Sequence, residues 1–181
     1  MNIEFLKECI RVEVIGRDHE FSWRKAITRT RRHRRKYFMF WWRVACYLYA
    51  QGGMKRRIAR RIEAKLHRLY DIEIPLTVQI GAGLDLAHMS GIIITGYCKI
   101  GERLHIKQGV TIGLRSKPED AQIIIGDDVN IGCNSSVLGG KITVGNNVTI
   151  GAHSLVIKDV PPNSIYMNQI VPCIRPKDQA L

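Results

Sequence analysis

The sequence predicts a three-sided solenoid of short β-strands behind an α-helical segment, and three observations predict it. Branched apolar residues recur every six positions from Ile74 onward, glycine directly follows many of them, and the basic residues gather ahead of the point where this beat begins. A period of two marks a half-buried strand and 3.6 an amphipathic helix, whereas a fixed period of six marks a repeat architecture. Each hexapeptide then forms one side of a prism, three sides make a coil of about 18 residues, and coils stack at the strand spacing of ~4.8 Å.

Residues 1–70 hold 19 Lys and Arg against 6 Asp and Glu, while residues 71–181 hold 9 against 10, so the formal net charge of +12 belongs to the first segment. Apolar residues there recur at three and four, predicting helices broken at Gly52-Gly53, with a second helix over Met54–Tyr70. Their apolar faces are expected to pack together and close the open end of the solenoid, since terminal coils need a cap. The longest apolar run, Tyr37 to Ala50, is 14 residues with Arg43 inside it, short of the ~20 that cross a bilayer. The opening MNIEFLKEC lacks the basic-then-apolar order of a secretory signal. A hydrophobic content of 45% suits a soluble globular chain. Five cysteines, at 9, 46, 98, 133 and 173, are widely spaced and form no CxxC pair; this predicts free thiols in a reducing cytoplasm, and no metal.

The cluster Arg31, Arg32, His33, Arg34, Arg35, Lys36 runs straight into Tyr37, Phe38, Phe40, Trp41 and Trp42. It admits a helix lying on an anionic membrane surface, a solvated basic face beside ordinary helix packing, or contact with an anionic polymer. Nucleic acid is disfavoured, because no recognition module accompanies the charge.

Along the repeat, Ile74, Ile80 and Leu86 are followed, after a two-residue insertion around Met89–Gly91, by Ile94, Ile100, Ile106 and Ile112. The beat resumes at Ile125, Ile131 and Val137, then at Val144, Ile150 and Val156, which makes about five coils. Gly81, Gly101 and Gly113 are expected at corners that exclude a Cβ. The polar, Pro-bearing stretch LRSKPEDAQII predicts a protruding loop, and the seven-residue step from Val137 to Val144 a bulge at Gly139-Gly140. The expected organisation is a basic helical domain (1–70), a repeat domain (71–170) and a tail (171–181).

The run LDLAHMSGIIITGYCKIGERLHIKQGVTIG, with its His-x-x-Gly turn, its insertion and its Gln-Gly-Val-Thr-Ile-Gly stretch, resembles the serine acetyltransferase family of hexapeptide-repeat enzymes. It is most similar to that family's polysaccharide O-acetyltransferase branch, of the colanic acid type, without a gap from Glu73 to Leu114. The resemblance implies a left-handed parallel β-helix that transfers acetyl from acetyl-CoA to a hydroxyl, with His88 as general base. A hydroxyl attacks a thioester only when a base of near-neutral pKa takes its proton, which is chemistry suited to imidazole. The family orients this histidine with a carboxylate 15 residues earlier, which falls on Glu73, where aspartate is usual; Asp71 and Asp85 are the reserve orienters. The Gly109–Gly113 turn is the candidate for oxyanion donors. His105 and His153 are expected to be structural, His105 stacking on Asp85.

The resemblance further implies acetyl-CoA lying in a groove between the subunits of a homotrimer, or of a dimer of trimers. Gly113, Cys133 and Ala152 match the contacts, Thr149 stands where a lysine is frequent, and Arg175 and Lys177 can face the CoA phosphates. On the acceptor side, serine-specific members carry Asp before the catalytic histidine and an Arg-His pair in the loop after the Val-Thr run. Here stand Ala87 and the stretch Arg115–Asp120. An amino acid's ammonium needs a partner that Ala87 cannot supply. The expected acceptor is therefore a sugar hydroxyl of a surface polysaccharide or its lipid-linked precursor, met by Asp85, Arg115 and Lys117 at the inner face of the cytoplasmic membrane. A serine O-acetyltransferase and a non-catalytic membrane-binding scaffold are the alternatives.

Overall fold

The computed structural model describes residues 1–115, 119, 121–169 and 171–174. Four α-helices open the chain: α1 (Ile3–Ile10), α2 (Trp23–Arg32), α3 (Arg34–Gln51) and α4 (Gly53–Tyr70), with a π-helical turn over Arg11–Ile15 after α1. Asn2 and Ser22 cap α1 and α2 by accepting backbone N–H bonds. The break between α3 and α4 falls at Gly52 (φ 75°) and Gly53 (φ 52°), where positive φ favours glycine. α4 begins one residue before the expected Met54 and stops at Asp71 in the left-handed region, which Asp tolerates better than most residues.

A left-handed parallel β-helix follows. The first coil holds β1 (Ile72–Glu73), β2 (Gln79–Ile80) and β3 (Asp85–Leu86), and the second β4 (Ile92–Ile94), β5 (Cys98–Ile100) and β6 (His105–Ile106). The third holds β7 (Thr111–Gly113), β8 (Gln122–Ile125) and β9 (Asn130–Ile131), and the fourth β10 (Ser136–Leu138), β11 (Lys141–Val144) and β12 (Thr149–Ile150). The fifth is partial: β13 (Leu155–Val156), a bridge from Val160 to Val144, and β14 (Ile165–Tyr166). Stacked strands make three parallel faces: β1-β4-β7-β10-β13, β2-β5-β8-β11 and β3-β6-β9-β12-β14. Inward residues of the six-residue beat are buried, Leu86, Ile106, Ile131, Val137, Val144 and Val156 all at 0% exposure, each contributing roughly 1.5–3 kcal/mol.

Corner glycines answer to the pitch of the stack. A Cβ on Gly81 would lie 2.6 Å from the Gly101 carbonyl carbon, and one on Gly101 2.8 Å from that of Gly126. Gly113 is different: it lies on β7, and the nearest atom to a Cβ there is 3.5 Å away, so the corner expected at that residue is a strand. The loop after β7 lengthens its coil, so that Arg103 pairs with Asp128, 25 residues on, where other coils advance by 20 or 19.

The helices fasten to the first coil through α3. Trp42 Nε1 donates to the Ile74 carbonyl at 3.1 Å. Arg43 donates to the carbonyls of Ile80 (2.9 Å) and Gly81 (2.6 Å), and doubly to Glu13 at 3.0 and 2.6 Å. Glu13 in turn accepts from the N–H groups of Gly83 and Leu84 at 3.0 and 3.1 Å. Both side chains are 1% exposed. Burial opposes the Arg43 charge, but the Glu13 carboxylate outweighs it and holds the guanidinium pKa above its ordinary value. Three of the aromatic residues after the basic cluster are core: Phe38 is 1% exposed, Phe40 7% and Trp42 2%. Those three side chains are thus committed to packing, while Tyr37 and Trp41 are only partly buried against the core. Among the described residues, no helix is long and apolar enough to cross a membrane.

Candidate active site

Between the third face and the first, four successive coils turn along one edge. At that corner Gly91, Gly109, Asn134 and His153 each adopt positive φ, and the strands paired across them set these residues one above another. Only the first coil carries a second left-handed residue before it, His88 at φ 53°. The two-residue insertion causes this: the chain needs a wider turn to pass from Leu86 to Ile93 than from Ile106 to Thr111. Its N–H bond from Gly91 to the Asp71 carbonyl (2.9 Å) closes the widened turn on the end of α4. His88 is exposed there.

Counting two residues past the inward residues Leu86, Ile106, Ile131 and Ile150, whose strands pair in register, gives His88, Gln108, Cys133 and Ala152 on the same edge. The candidate base and two of the three candidate CoA contacts therefore share one line. Gly113 stands on the adjoining face, in register with Leu138. Small residues at these positions, with Ala152 exposed and room for a Cβ at Gly113 in ordinary contact with Leu138 and Thr111, fit an extended ligand laid along the coils. Gln108, which the sequence reading did not single out, has its Oε1 buried without a hydrogen-bond partner among the described residues. Thr149 is exposed on β12 and Arg115 is exposed past β7. Lys117, Arg175 and Lys177 lie outside the described residues.

His88 borders a cleft of 420 Å³ lined by Arg34, Arg35, Leu86, Ala87 and Met89. Two of these come from the start of α3, more than fifty positions away. Glu73 faces outward from β1, one strand from β4, and borders a different cavity of 330 Å³ beside Trp42, Glu63 and His67. Among the described residues, neither side chain makes a hydrogen bond or ion pair, so the expected dyad is not joined in this state. Asp85, expected to meet substrate, is engaged within the protein: its carboxylate accepts from Arg35 at 2.6 Å and meets His105 Nδ1 at 2.9 Å. The register pair Asp85↔His105 is the stack that the sequence predicts.

No family model matches the chain. Among curated proteins it is similar to serine acetyltransferase 4 of Arabidopsis thaliana, 34% identical over 87 residues that cover 48% of this chain and 24% of that protein. Among solved structures it is similar to serine acetyltransferase isoform 3 from Entamoeba histolytica, solved in complex with cysteine, with a TM-score of 0.73 and 28% identity. That alignment covers 96% of this chain and 60% of the other. The Neisseria gonorrhoeae serine acetyltransferase, solved in complex with serine, aligns at a TM-score of 0.71 and 26% identity over 88% of this chain and 65% of its own. The chain thus spans about a quarter of the length of the curated relative it matches. These relatives are serine acetyltransferases, not the polysaccharide branch that the sequence resemblance singles out. In fold and in repeat sequence the chain is similar to the serine acetyltransferases, hexapeptide-repeat acyltransferases built on a left-handed β-helix.

Proposed function

We propose that this protein is an acetyl-CoA-dependent O-acetyltransferase in which His88 is the general base, and that L-serine is the acceptor its relatives support. The observation that carries the reading is the position of His88: the widened corner turns one histidine of the β-helix toward a cleft, on the same edge as Cys133 and Ala152. Acetyl-CoA, when bound, supplies the acetyl group as a thioester. His88 takes the hydroxyl proton as the acceptor oxygen forms its bond to the acetyl carbon. The C–S bond breaks, and the proton passes to the leaving sulfur. Backbone N–H groups of the Gly109–Gly113 segment are the candidates to hold the developing oxyanion. Glu73 can orient the imidazole only after a side-chain rearrangement, so its contribution is expected to be the smaller. A homotrimer belongs to this reading, since Ile93 and Leu155 are 44% and 45% exposed on the face that follows the His88 edge.

One observation favours a second acceptor, a sugar hydroxyl. Among the described residues no carboxylate lines the His88 cleft, Ala87 stands beside the base, and Asp85 is already paired. The ammonium of an amino acid would find no counter-charge there. The test is thiol release from acetyl-CoA with L-serine, and separately with a surface glycan, by wild type and by His88→Ala. Release that depends on serine and falls ~10²–10⁴-fold in the variant supports the first reading, and release with glycan alone supports the second. Full activity of His88→Ala would remove His88 from the mechanism.

A further inference from the structure

Arg34 is an exposed cation, held by neutral partners and paired with no anion among the described residues. Its Nη2 donates to the Leu69 carbonyl at 2.9 Å, and its guanidinium lies 4.8 Å over the Tyr70 ring, whose hydroxyl donates back to the Arg34 carbonyl at 3.1 Å. These partners are neutral, and among the described residues no carboxylate pairs with Arg34. They hold the fork in place without cancelling its charge. Arg35 beside it is matched by Asp85, and Asp85 is shared with His105, so that group is internally balanced. Among the described residues the cleft these two arginines line with His88 contains no acidic side chain, and its 420 Å³ lies in the range of small-molecule sites. A planar, preorganised guanidinium facing such a cleft suits a carboxylate or a phosphate, which it can grip with two parallel hydrogen bonds.

Building on the acetyltransferase reading above, we infer that the acceptor carries an anionic group, carboxylate or phosphate, held by Arg34 at the start of α3 while its hydroxyl lies at His88. The helical segment then supplies acceptor recognition, and the β-helix supplies the base. The same geometry accounts for a site near the base that lacks a cation partner but has a cation of its own. It serves an amino-acid carboxylate or a sugar phosphate alike.

Two measurements test this on the full-length chain. The first titrates inorganic phosphate while following the imidazole ¹⁵N resonances. His88 is expected to shift saturably in wild type, more weakly in Arg34→Lys, which keeps the charge but not the fork, and not in Arg34→Gln that circular dichroism shows to be folded. The absence of a saturable shift in wild type, or an equal shift in Arg34→Gln, overturns the inference. The second compares kcat/KM for L-serine against L-serinamide, and for a hexose 1-phosphate against the hexose. The anionic member of the used pair is expected to be favoured at least ~tenfold, chiefly through KM, and Arg34→Gln to bring the ratio close to one. Which pair responds separates carboxylate from phosphate. Thiol release that is indifferent to the anion refutes the anion site and leaves the acetyltransferase reading standing. A phosphate shift at His88 with no thiol release for any acceptor does the reverse.

Discussion

Replacing Arg43 by methionine keeps most of the aliphatic volume but removes every donor of the latch between the helices and the first coil. Four hydrogen bonds are lost at once, two to Glu13 and one each to the carbonyls of Ile80 and Gly81. The Glu13 carboxylate is left 1% exposed with only the N–H groups of Gly83 and Leu84 for company. Breaking one side of a buried ion pair costs about 3–5 kcal/mol, because a buried charge loses its compensation. That is roughly a fifth or more of the ~5–15 kcal/mol typical of a domain's stability. At roughly 2–4 °C per kcal/mol for a chain of this size, Tm should fall by about 10 °C. The assay is urea unfolding of wild type, Arg43→Met, Glu13→Gln and the double variant, read by far-ultraviolet circular dichroism. Because the two groups compensate each other, the double variant should be more stable than the sum of the single losses by about 2 kcal/mol. Strict additivity, or a loss below ~1 kcal/mol for Arg43→Met, would refute the latch as the anchor of the helical segment.

Gly101→Ala should cost about 1–3 kcal/mol in the same unfolding assay, since its Cβ would press on the Gly126 backbone. Gly113→Ala would place its Cβ in ordinary contact with Leu138 and Thr111, without a clash, and should instead raise the KM for acetyl-CoA. Burial pushes the thiols of Cys9, Cys46 and Cys98 up to about 12. The folded state therefore disfavours the thiolate, and the stability this gives is complete below pH ~9 and lost as pH rises toward ~12. Replacing all three by alanine should flatten the fall of Tm between pH 9 and 11. In a thiol titration of native protein, exposed Cys173 and partly exposed Cys133 should react while the three buried thiols wait for unfolding. Acetyl-CoA should slow Cys133 alone. Glu73→Gln should reduce thiol release by less than about tenfold, far short of the loss in His88→Ala.

The β-helix was legible because its determinants are local and periodic: an inward Ile or Val every six residues and a glycine where the next coil leaves no room. The insertion near Met89 was legible too, as a break in a beat, and so was the stack of His105 on Asp85. What periodicity does not carry is charge placement across distance. Arg43 read as an interruption in an apolar run, because its partner Glu13 lies 30 residues back in a π-helical turn with no distinct sequence signature. Arg34 and Arg35 read as part of a basic face, because nothing in a run of arginines tells which of them will meet the corner at His88. Gly113 read as a corner for the same reason in reverse: an Ile-Gly pair looks alike whether the chain turns or continues straight.

The widened corner has a consequence for how a repeating scaffold comes to hold one site. Coils of equal length are interchangeable, and nothing in an unbroken stack distinguishes one level from the next. Two additional residues between Leu86 and Ile92 end that equivalence, so the location of His88, the proposed base, is specified by a length of chain as much as by the identity of a side chain. Ordinary substitution can alter what the cleft accepts without moving it, whereas relocating it requires an insertion or a deletion. Chains of this architecture can therefore vary widely at outward positions and still keep their chemistry at the same height on the rod.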